Sequence, residues 1–251
     1  MDLLDRTSGD VVDEALLLSF AELEKTHWWF VVRRSLVLDQ ARRWAPRPVA
    51  RVLEVGCGTG ATLRGLALLF PRAGVTGVEP VASAQQVAAA AGCDVVLGSF
   101  ERLPAATGSV DMLLALDVLE HLDDEAAGLA EAARVLRPGG RLLVTVPALP
   151  SIWGPHDEVN HHRRRYTRAM LCDRIIGAGF RVERVTSFNT LLLPLAWVER
   201  SVARRRRRPA VVAQPAPFVN AALRRVFAME LPLLRTFDLP IGLSLLLVAS
   251  R

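Results

Sequence analysis

The chain is short of cysteine and of long apolar runs, and these shortages argue against whole classes of protein. Its three cysteines, Cys57, Cys93 and Cys172, lie far apart and form no Cys-X-X-Cys pair, which argues against a disulfide framework and a zinc site. No apolar run reaches the roughly 20 residues that a membrane-spanning helix needs. The acidic segment 1–5 lacks the basic flank of a signal peptide. We therefore expect a cytoplasmic protein with reduced thiols.

Basic charge is concentrated in one segment. Lysine and arginine together number 31 and aspartate and glutamate 26, and the excess of five equals the run of five arginines at 204–208. The rest of the chain is therefore formally neutral. Because 51% of the 251 residues are hydrophobic, disordered and fibrous classes are excluded and a large core can form.

Short apolar runs alternate with longer amphipathic segments from residue 51 onward. The apolar runs predict strands at 51–55, 75–79, 94–97, 110–116, 141–147, 180–186 and 243–249, and the amphipathic segments predict helices at 60–70, 82–91, 117–136 and 167–177. This alternation indicates a parallel sheet covered by helices on both faces. Within the predicted helix 117–136, Asp117 and Glu120 have the spacing of a capping box.

Two segments outside this alternation predict helical additions. Residues 1–48 are expected to form an N-terminal helical lid on a domain spanning 49–251, and residues 187–240 a helical insertion before the last strand. Neighbouring side chains on a helix diverge by about 100°. Trp28 and Trp29 are therefore not expected to face the core together, and one of them is expected to line a pocket.

The insertion combines apolar residues with arginines, in the stretches 187–203 and 217–235. Apolar faces edged by arginine are typical of helices that lie in a membrane interface. A helical cap folded onto the domain is the other interpretation, so peripheral contact with the inner membrane face through 187–235 and a plain cap both stay open. Nucleic acid binding is less favoured, because no aromatic residues are interleaved with the arginine run.

A glycine-rich loop, Gly56–Ala61, follows the first predicted strand and opens a helix. Glycine allows a sharp turn and the close approach of a ligand. The loop fits a dinucleotide fingerprint, and Glu79 stands 19 residues after Gly60, where a ribose-binding acid belongs. Glu54, two residues before the loop, would repel a pyrophosphate but attract the ammonium and sulfonium groups of S-adenosylmethionine. Charge therefore favours S-adenosylmethionine over NAD.

Five motifs follow one another in order along the chain. They are 51–60 (RVLEVGCGTG), 77–80 (GVEP), 98–104 (GSFERLP), 117–122 (DVLEHL) and 136–140 (LRPGG). Together they resemble the class I S-adenosylmethionine-dependent methyltransferases, and the nearest branch is the type 11/12 group. The resemblance covers roughly residues 50–186 and the closing strand. It implies a Rossmann-like three-layer α/β sandwich, with a mostly parallel seven-stranded sheet and an antiparallel last strand.

The resemblance also implies a cofactor and its site. The cofactor is S-adenosyl-L-methionine, the product is S-adenosyl-L-homocysteine, and the implied binding residues are Glu54, Gly56, Cys57, Gly58, Gly60, Glu79, Pro80, Ser99, Phe100, Leu116 and Asp117. Ser99 departs from the family pattern, since many members carry an aspartate there, and a hydroxyl accepts a hydrogen bond from adenine less strongly. No metal is implied, and no ligand cluster of clear spacing stands out in the sequence.

Two segments are expected to reach an acceptor site above the loop, namely the N-terminal helix and 148–166. The second carries three of the five histidines within seven residues, and a solvated basic turn is the alternative interpretation. We expect His156, oriented by Asp157 or another acid, to accept a proton if the nucleophile carries one. The candidate substrate-binding residues are His27, Trp28, Trp29, His121, Asp157, His161, Arg165 and Tyr166, of which His121 is first interpreted as a packed histidine.

These observations predict a methyltransferase that acts on a small-molecule or lipid-linked acceptor by in-line transfer. Two alternatives stay open. A nicotinamide-dependent oxidoreductase is disfavoured by Glu54 and by the later motifs. A protein that binds the cofactor without turnover fits the same residues.

Overall fold

The computed structural model describes residues 21–206 and 214–251. Residues 1–20 of the predicted lid lie outside these ranges, as do Arg207 and Arg208 of the arginine run. Residues 21–26 are helical and lead into the first complete helix.

In the described part of the chain, the centre of the structure is a seven-stranded sheet. Its strands are β1 (Arg51–Val55), β2 (Gly74–Glu79), β3 (Asp94–Leu97), β4 (Val110–Leu116), β5 (Leu136–Pro147), β6 (Arg181–Phe188) and β7 (Ser244–Ser250). They lie in the order β3-β2-β1-β4-β5-β7-β6. The pairs among β1 to β5 are parallel, and β7 is antiparallel to both of its neighbours. The predicted Rossmann-like sandwich with an antiparallel last strand is confirmed.

Helices connect these strands and cover both faces of the sheet. They are α1 (Trp28–Trp44), α2 (Ala61–Leu69), α3 (Ala82–Ala90), α4 (Glu125–Val135), α5 (Pro155–Val159), α6 (Arg168–Gly177), α7 (Leu193–Arg206), α8 (Pro217–Ala228) and α9 (Glu230–Leu233). Among the described residues, no helix combines the length and hydrophobicity needed to cross a membrane.

The central strand β4 shows why the sheet is covered on both sides. All of its residues are buried, as expected for a parallel strand with a layer on each face. Successive side chains point to opposite faces. Leu113 and Ala115 therefore pack in one hydrophobic cluster with α4 and α6, whereas Met112 and Leu114 pack in the other with α1 and α8.

Helix α1 is part of the core rather than a separate lid. Val32, Leu36, Val37 and Ala41 are buried in the second cluster. The described part of the predicted lid 1–48 therefore forms a layer of the main domain. This packing fixes the N-terminal end of α1 beside the carboxyl ends of the strands.

The predicted helix over 117–136 and its capping box are wrong. Asp117 has a left-handed backbone with φ 55°, and a short 3₁₀ turn, Leu119–His121, follows it. Helix α4 begins only at Glu125, and the side chain of Asp124 caps it by accepting hydrogen bonds from two amides of the first turn. The carboxyl end of β4 therefore continues into a loop that carries acidic and histidine side chains.

The insertion between β6 and β7 forms α7, α8 and α9, and α8 packs against α1. The backbone amide of Trp28 donates to Asn220 Oδ1 at 2.8 Å. Trp29 stacks on Phe188 and Phe227 with ring centroids 6.0 and 5.6 Å away, and Trp28 meets Phe227 edge-on at 6.0 Å. The prediction that the two tryptophans cannot both pack on the core is therefore wrong, because α8 supplies a second apolar surface.

Candidate active site

A cavity of about 1120 Å³ opens at the carboxyl ends of the parallel strands. The last residues of β1, β2 and β4, which are Val55, Glu79 and Leu116, line it. Ligands of open α/β sheets bind at this edge. Pockets for small ligands typically measure about 300–1,000 Å³, so this cavity has room for a cofactor and an acceptor together.

The glycine loop between β1 and α2 forms one wall of the cavity. Gly56 and Gly58 have positive φ angles of 62° and 54°, a conformation that favours glycine. A Cβ atom at Gly56 would lie 2.7 Å from Val118 Cγ2, whereas a Cβ at Gly58 would meet no atom within 4 Å. The backbone at Gly58 therefore offers an open surface that a ligand can approach directly.

Glu79 holds this loop from the end of β2. Its Oε2 accepts a hydrogen bond from the Gly58 amide at 2.8 Å, and its Oε1 accepts one from the Val81 amide at 3.0 Å. Burial raises the pKa of Glu79, and the two amide hydrogen bonds oppose that rise. A fixed carboxylate in the cavity wall keeps lone pairs for the hydroxyl groups of a ligand.

Glu54 lies on β1 beside the loop and lacks a partner of opposite charge. The residue is 3% exposed, lines the cavity, and its Oε2 has no hydrogen-bond partner. Burial raises the pKa of Glu54 to about 8, against the opposing effect of Arg33. A buried carboxyl group in this state is stabilised by a cation. An ammonium group of a ligand would supply that cation and ionise Glu54.

Helix α1 brings Arg33 to the same end of the cavity. Its Nη2 lies 2.6 Å from Asp117 Oδ2 and donates to Thr145 Oγ1 at 3.2 Å. Thr145 Oγ1 in turn donates to Asp117 Oδ1 at 3.0 Å. Arg33 Nε is buried without a partner, so one N–H group is available to an anion. Glu54 and Arg33 thus offer an acceptor and a donor to the two charged groups of an amino acid.

The other implied cofactor residues divide into two sets. Cys57, Pro80, Ser99, Phe100, Leu116 and Asp117 line the cavity. Gly60 is not among the lining residues, and a Cβ there would lie 2.8 Å from Cys93 Sγ. Glycine at position 60 is therefore explained by loop packing. Burial, with Glu54 and Glu79 nearby, raises the pKa of the Cys57 thiol, which keeps that thiol neutral.

The acceptor end of the cavity is lined by α1 and covered by the insertion. The lining side chains there include His27, Trp28, Trp29 and Phe30 from the α1 end and Ala196, Glu199, Arg200 and Val202 from α7. His27 is the N-cap of α1, and its Nδ1 accepts a hydrogen bond from the Trp29 amide at 3.3 Å. Both predicted tryptophans therefore lie at the cavity as well as in the core.

The expected pairing of His156 with Asp157 is not observed, because a different histidine takes the carboxylate. Asp157 Oδ1 lies 2.9 Å from His162 Nδ1 and accepts from Arg165 Nε at 2.7 Å. Burial would raise the pKa of Asp157, but His162, Arg165 and Arg200 lower it to about 2. His156 lines the cavity, and burial, together with Arg200, lowers its pKa to about 4. Asp157 therefore orients His162.

Of three further residues predicted to bind the substrate, one is buried in the core, one is exposed and one lines the cavity. Tyr166 is buried in the core away from the cavity, and its hydroxyl donates to Glu125 Oε1 at 3.1 Å. His161 is exposed, has a left-handed backbone with φ 53°, and is not a lining residue. Arg165 lines the cavity while it pairs with Asp157. Tyr166 is drawn inward because its backbone pairs with Ala148, the residue directly after β5.

A cluster of Glu120, His121 and His162 lies at the same end of the cavity. The rings of His121 and His162 meet edge-on with centroids 5.0 Å apart. Burial, with Asp117 nearby, raises the pKa of Glu120 well above its usual value. Burial, with His162 nearby, lowers the pKa of His121 to about 4. His121 is therefore a cavity residue as well as a packed one.

Sequence reasoning missed several residues that face the cavity, namely Glu24, Arg33, Glu120, His162 and Arg200. Arg33 carries a usable signal, because it stands four residues after Trp29 and so lies on the same helix face. Glu24 carries none, since its contact with Thr59 Oγ1, at 2.5 Å, joins segments that are distant in sequence.

Comparisons with known proteins identify relatives of this chain. Residues 53–144 match the family model described as a methyltransferase domain. A probable S-adenosylmethionine-dependent methyltransferase of Mycobacterium tuberculosis is 33% identical over 162 residues, which cover 63% of this chain and 58% of the relative. Trans-aconitate 2-methyltransferase of Deinococcus radiodurans is 34% identical over 155 residues, covering 61% of this chain and 57% of the relative.

A solved structure shows the same fold. It is an S-adenosylmethionine-dependent methyltransferase of Thermotoga maritima, a possible histamine N-methyltransferase, with a TM-score of 0.58 at 22% identity, covering 94% of this chain and 97% of that one. The chain spans between 51% and 62% of the length of the first curated relatives that it matches. By its motifs, its fold and these relatives, the chain carries a methyltransferase domain and is related to S-adenosylmethionine-dependent methyltransferases.

Proposed function

We propose that this chain transfers the methyl group of S-adenosylmethionine to a small-molecule or lipid-like acceptor that has an apolar part. The observation that carries the proposal is one continuous cavity. It joins the open glycine loop to an end lined by aromatic and histidine side chains.

The cofactor end fits a ligand with an amino acid group and a nucleoside. The unpartnered Oε2 of Glu54 suits an ammonium group, and the unpartnered Nε of Arg33 suits a carboxylate. Glu79 suits ribose hydroxyls, and Ser99 with the Phe100 backbone suits an adenine edge. A pyrophosphate beside Glu54 would meet a buried acid, so a nicotinamide cofactor is not favoured.

The acceptor end supports positioning rather than extensive acid–base chemistry. S-adenosylmethionine, when bound, supplies a methyl group that is already activated. The protein must hold the acceptor in line with that methyl group and exclude water. Helix α7 covers the cavity with Ala196 and Val202, and Arg200 ties α7 to Asp157 with its Nη1 3.7 Å from Oδ2. This cover supports a closed reaction space.

The surface beside this cover supports an apolar acceptor and peripheral membrane contact. Leu195, Trp197 and Val198 of α7 and Phe218 of α8 are exposed large hydrophobic residues. Single exposed apolar residues are ordinary, but three of these four lie within four residues of α7, and such a concentration is typical of an interaction surface. A lipid-like acceptor could then reach the cavity past α7 from a membrane surface.

The test separates cofactor choice from turnover. Calorimetric titrations of the purified chain should show binding of S-adenosylmethionine and S-adenosylhomocysteine but not of NAD. Arg33→Met should weaken S-adenosylhomocysteine more than 5′-methylthioadenosine, which lacks the amino acid group, whereas Arg72→Met at an exposed site should change neither.

Turnover is then measured by transfer of a labelled methyl group into fractionated cell extracts. Label in the organic-soluble fraction supports an apolar acceptor. Label only in protein or nucleic acid contradicts the proposed acceptor class, and cofactor binding without any labelled product supports the binding-only alternative.

A further inference from the structure

The cluster of Glu120, His121 and His162 has the geometry of an ion-binding site. One potential ligand atom from each side chain lies within 4.8 Å of the other two, and no other such group of three occurs among the described residues. Ligands around a tetrahedral ion with bonds of about 2.0–2.2 Å stand about 3.4 Å apart. The ligand atoms therefore need to approach one another by up to about 1.4 Å to complete a ligand set.

Three polar atoms of the cluster have no hydrogen-bond partner in the described part of the protein. Both carboxylate oxygens of Glu120 and the Nδ1 of His121 are buried without hydrogen bonds, and Glu120 is 0% exposed. Buried polar groups are normally satisfied, and an unsatisfied carboxylate is the most costly of them. A cation bound beside Glu120 would therefore stabilise its ionised carboxylate.

Neighbouring arginines do not fill this role, because each already pairs with another acid. Arg33 pairs with Asp117 at 2.6 Å. Arg165 and Arg200 both pair with Asp157, at 2.7 and 3.7 Å. Arg33 and Arg165 attract the charge of an ionised Glu120 from a distance, but no arginine among the described residues forms an ion pair with it, so a bound ion could supply the direct partner.

The surroundings of His162 also match those of a metal-binding histidine. Its Nδ1 contacts Asp157 Oδ1 at 2.9 Å, which leaves Nε2 as its free ligand atom. A carboxylate on the second ring nitrogen is the usual arrangement for histidines that bind metals. The backbone amide of Arg163 donates to the Glu120 carbonyl at 2.8 Å and so holds this segment against the 3₁₀ turn.

We propose that Glu120, His121 and His162 bind a divalent transition-metal ion at the acceptor end of the cavity. Two imidazoles and one carboxylate suit Zn²⁺, Mn²⁺ or Fe²⁺, whereas Mg²⁺ and Ca²⁺ favour ligand sets made of oxygen. Three protein ligands leave a coordination position open, and all three line the cavity. A hydroxyl group of the acceptor bound at that position would give up its proton more readily to a base such as His156, which prepares its oxygen for methylation.

Metal binding is tested directly, on tag-free full-length protein without cofactor or acceptor. Co²⁺ is titrated and followed by its visible absorption, and Zn²⁺ and Mn²⁺ are titrated by calorimetry. We expect one ion per chain and no sulfur-to-cobalt charge-transfer band. Since methyl transfer plays no part in this measurement, its failure would leave the transferase proposal standing.

Matched variants locate the ion. His162→Asn and Glu120→Gln should weaken binding by about 10-fold or more. His161→Asn should leave it unchanged, because His161 is exposed and outside the cluster, and asparagine tolerates its left-handed backbone. If the melting temperature of His162→Asn is well below that of the wild type, the metal affinity of Glu120→Gln alone tests the proposal. Absence of binding, a thiolate band, or equal binding in wild type and Glu120→Gln would overturn the proposal.

Discussion

Glu54 should make the ligand-free protein less stable as the pH rises, and replacing it should remove that loss. Its pKa is about 8 in the folded chain against a usual value of 4.5, chiefly because it is buried. Between these pH values the folded state holds a proton that the unfolded state has released. The stabilisation that the protonated Glu54 contributes is therefore fully present below about pH 4.5 and is lost as the pH rises through about 8.

The size of this loss of stability follows from the distance between the usual pKa of 4.5 and the folded-state pKa of about 8. At about 1.4 kcal/mol per pH unit, the free energy of unfolding should fall by up to about 5 kcal/mol. Glu54→Gln is close in shape to the protonated acid and does not titrate. Its free energy of unfolding, minus that of the wild type, should thus rise by about 3–5 kcal/mol between pH 5 and pH 8.5.

Urea unfolding at a series of pH values measures this difference. Glu22→Gln is the control, because Glu22 is exposed with a side-chain accessibility of 79%. The same Glu54→Gln protein should bind S-adenosylhomocysteine more weakly, so stability and cofactor affinity should change in opposite directions. Parallel pH profiles for Glu54→Gln and wild type would refute the reasoning about this buried acid.

Two further predictions concern the acceptor end. His156 lies in the cavity, and its pKa of about 4 keeps it neutral near pH 7 and able to accept a proton. His156→Ala should therefore lower kcat by about 100-fold and leave the Kd of the cofactor unchanged. An unaltered kcat would show that His156 takes no part in proton transfer. In a flotation assay, the wild type should rise with anionic vesicles, whereas the double variant Trp197→Ser/Phe218→Ser, which lacks two exposed apolar side chains of the insertion, should not. The control Leu68→Ser, at an exposed site outside the insertion, should float like the wild type. Failure of the wild type to float would refute membrane contact.

Local features of the site could be predicted from the sequence because their causes are local. The glycine loop needs left-handed backbone at Gly56 and Gly58, and only a short run of glycines supplies it cheaply. Glu79 ends a strand whose parallel partners place it at the same edge as that loop. Such features depend on residues near in sequence or on the regular geometry of a parallel sheet.

Features that depend on distant packing could not be predicted in the same way. Nothing within one helix indicates that Trp28 and Trp29 are both covered, because Phe227 arrives from an insertion almost two hundred residues later. The neighbours His161 and His162 look equivalent in sequence. The left-handed backbone at His161 sends the first to solvent and the second to Asp157.

Glu120 shows how one spacing can serve two structures. Asp117 and Glu120 have the separation of a helix cap, and a helix beginning there would have turned Glu120 toward its own backbone amides. The left-handed turn at Asp117 delays α4, so Asp124 takes the capping role and Glu120 is buried at the cavity without a partner. A helix that begins about two turns late therefore changes a structural acid into a candidate ligand, which is why the chemistry of this site depends on the loop after β4 more than on the helix that follows it.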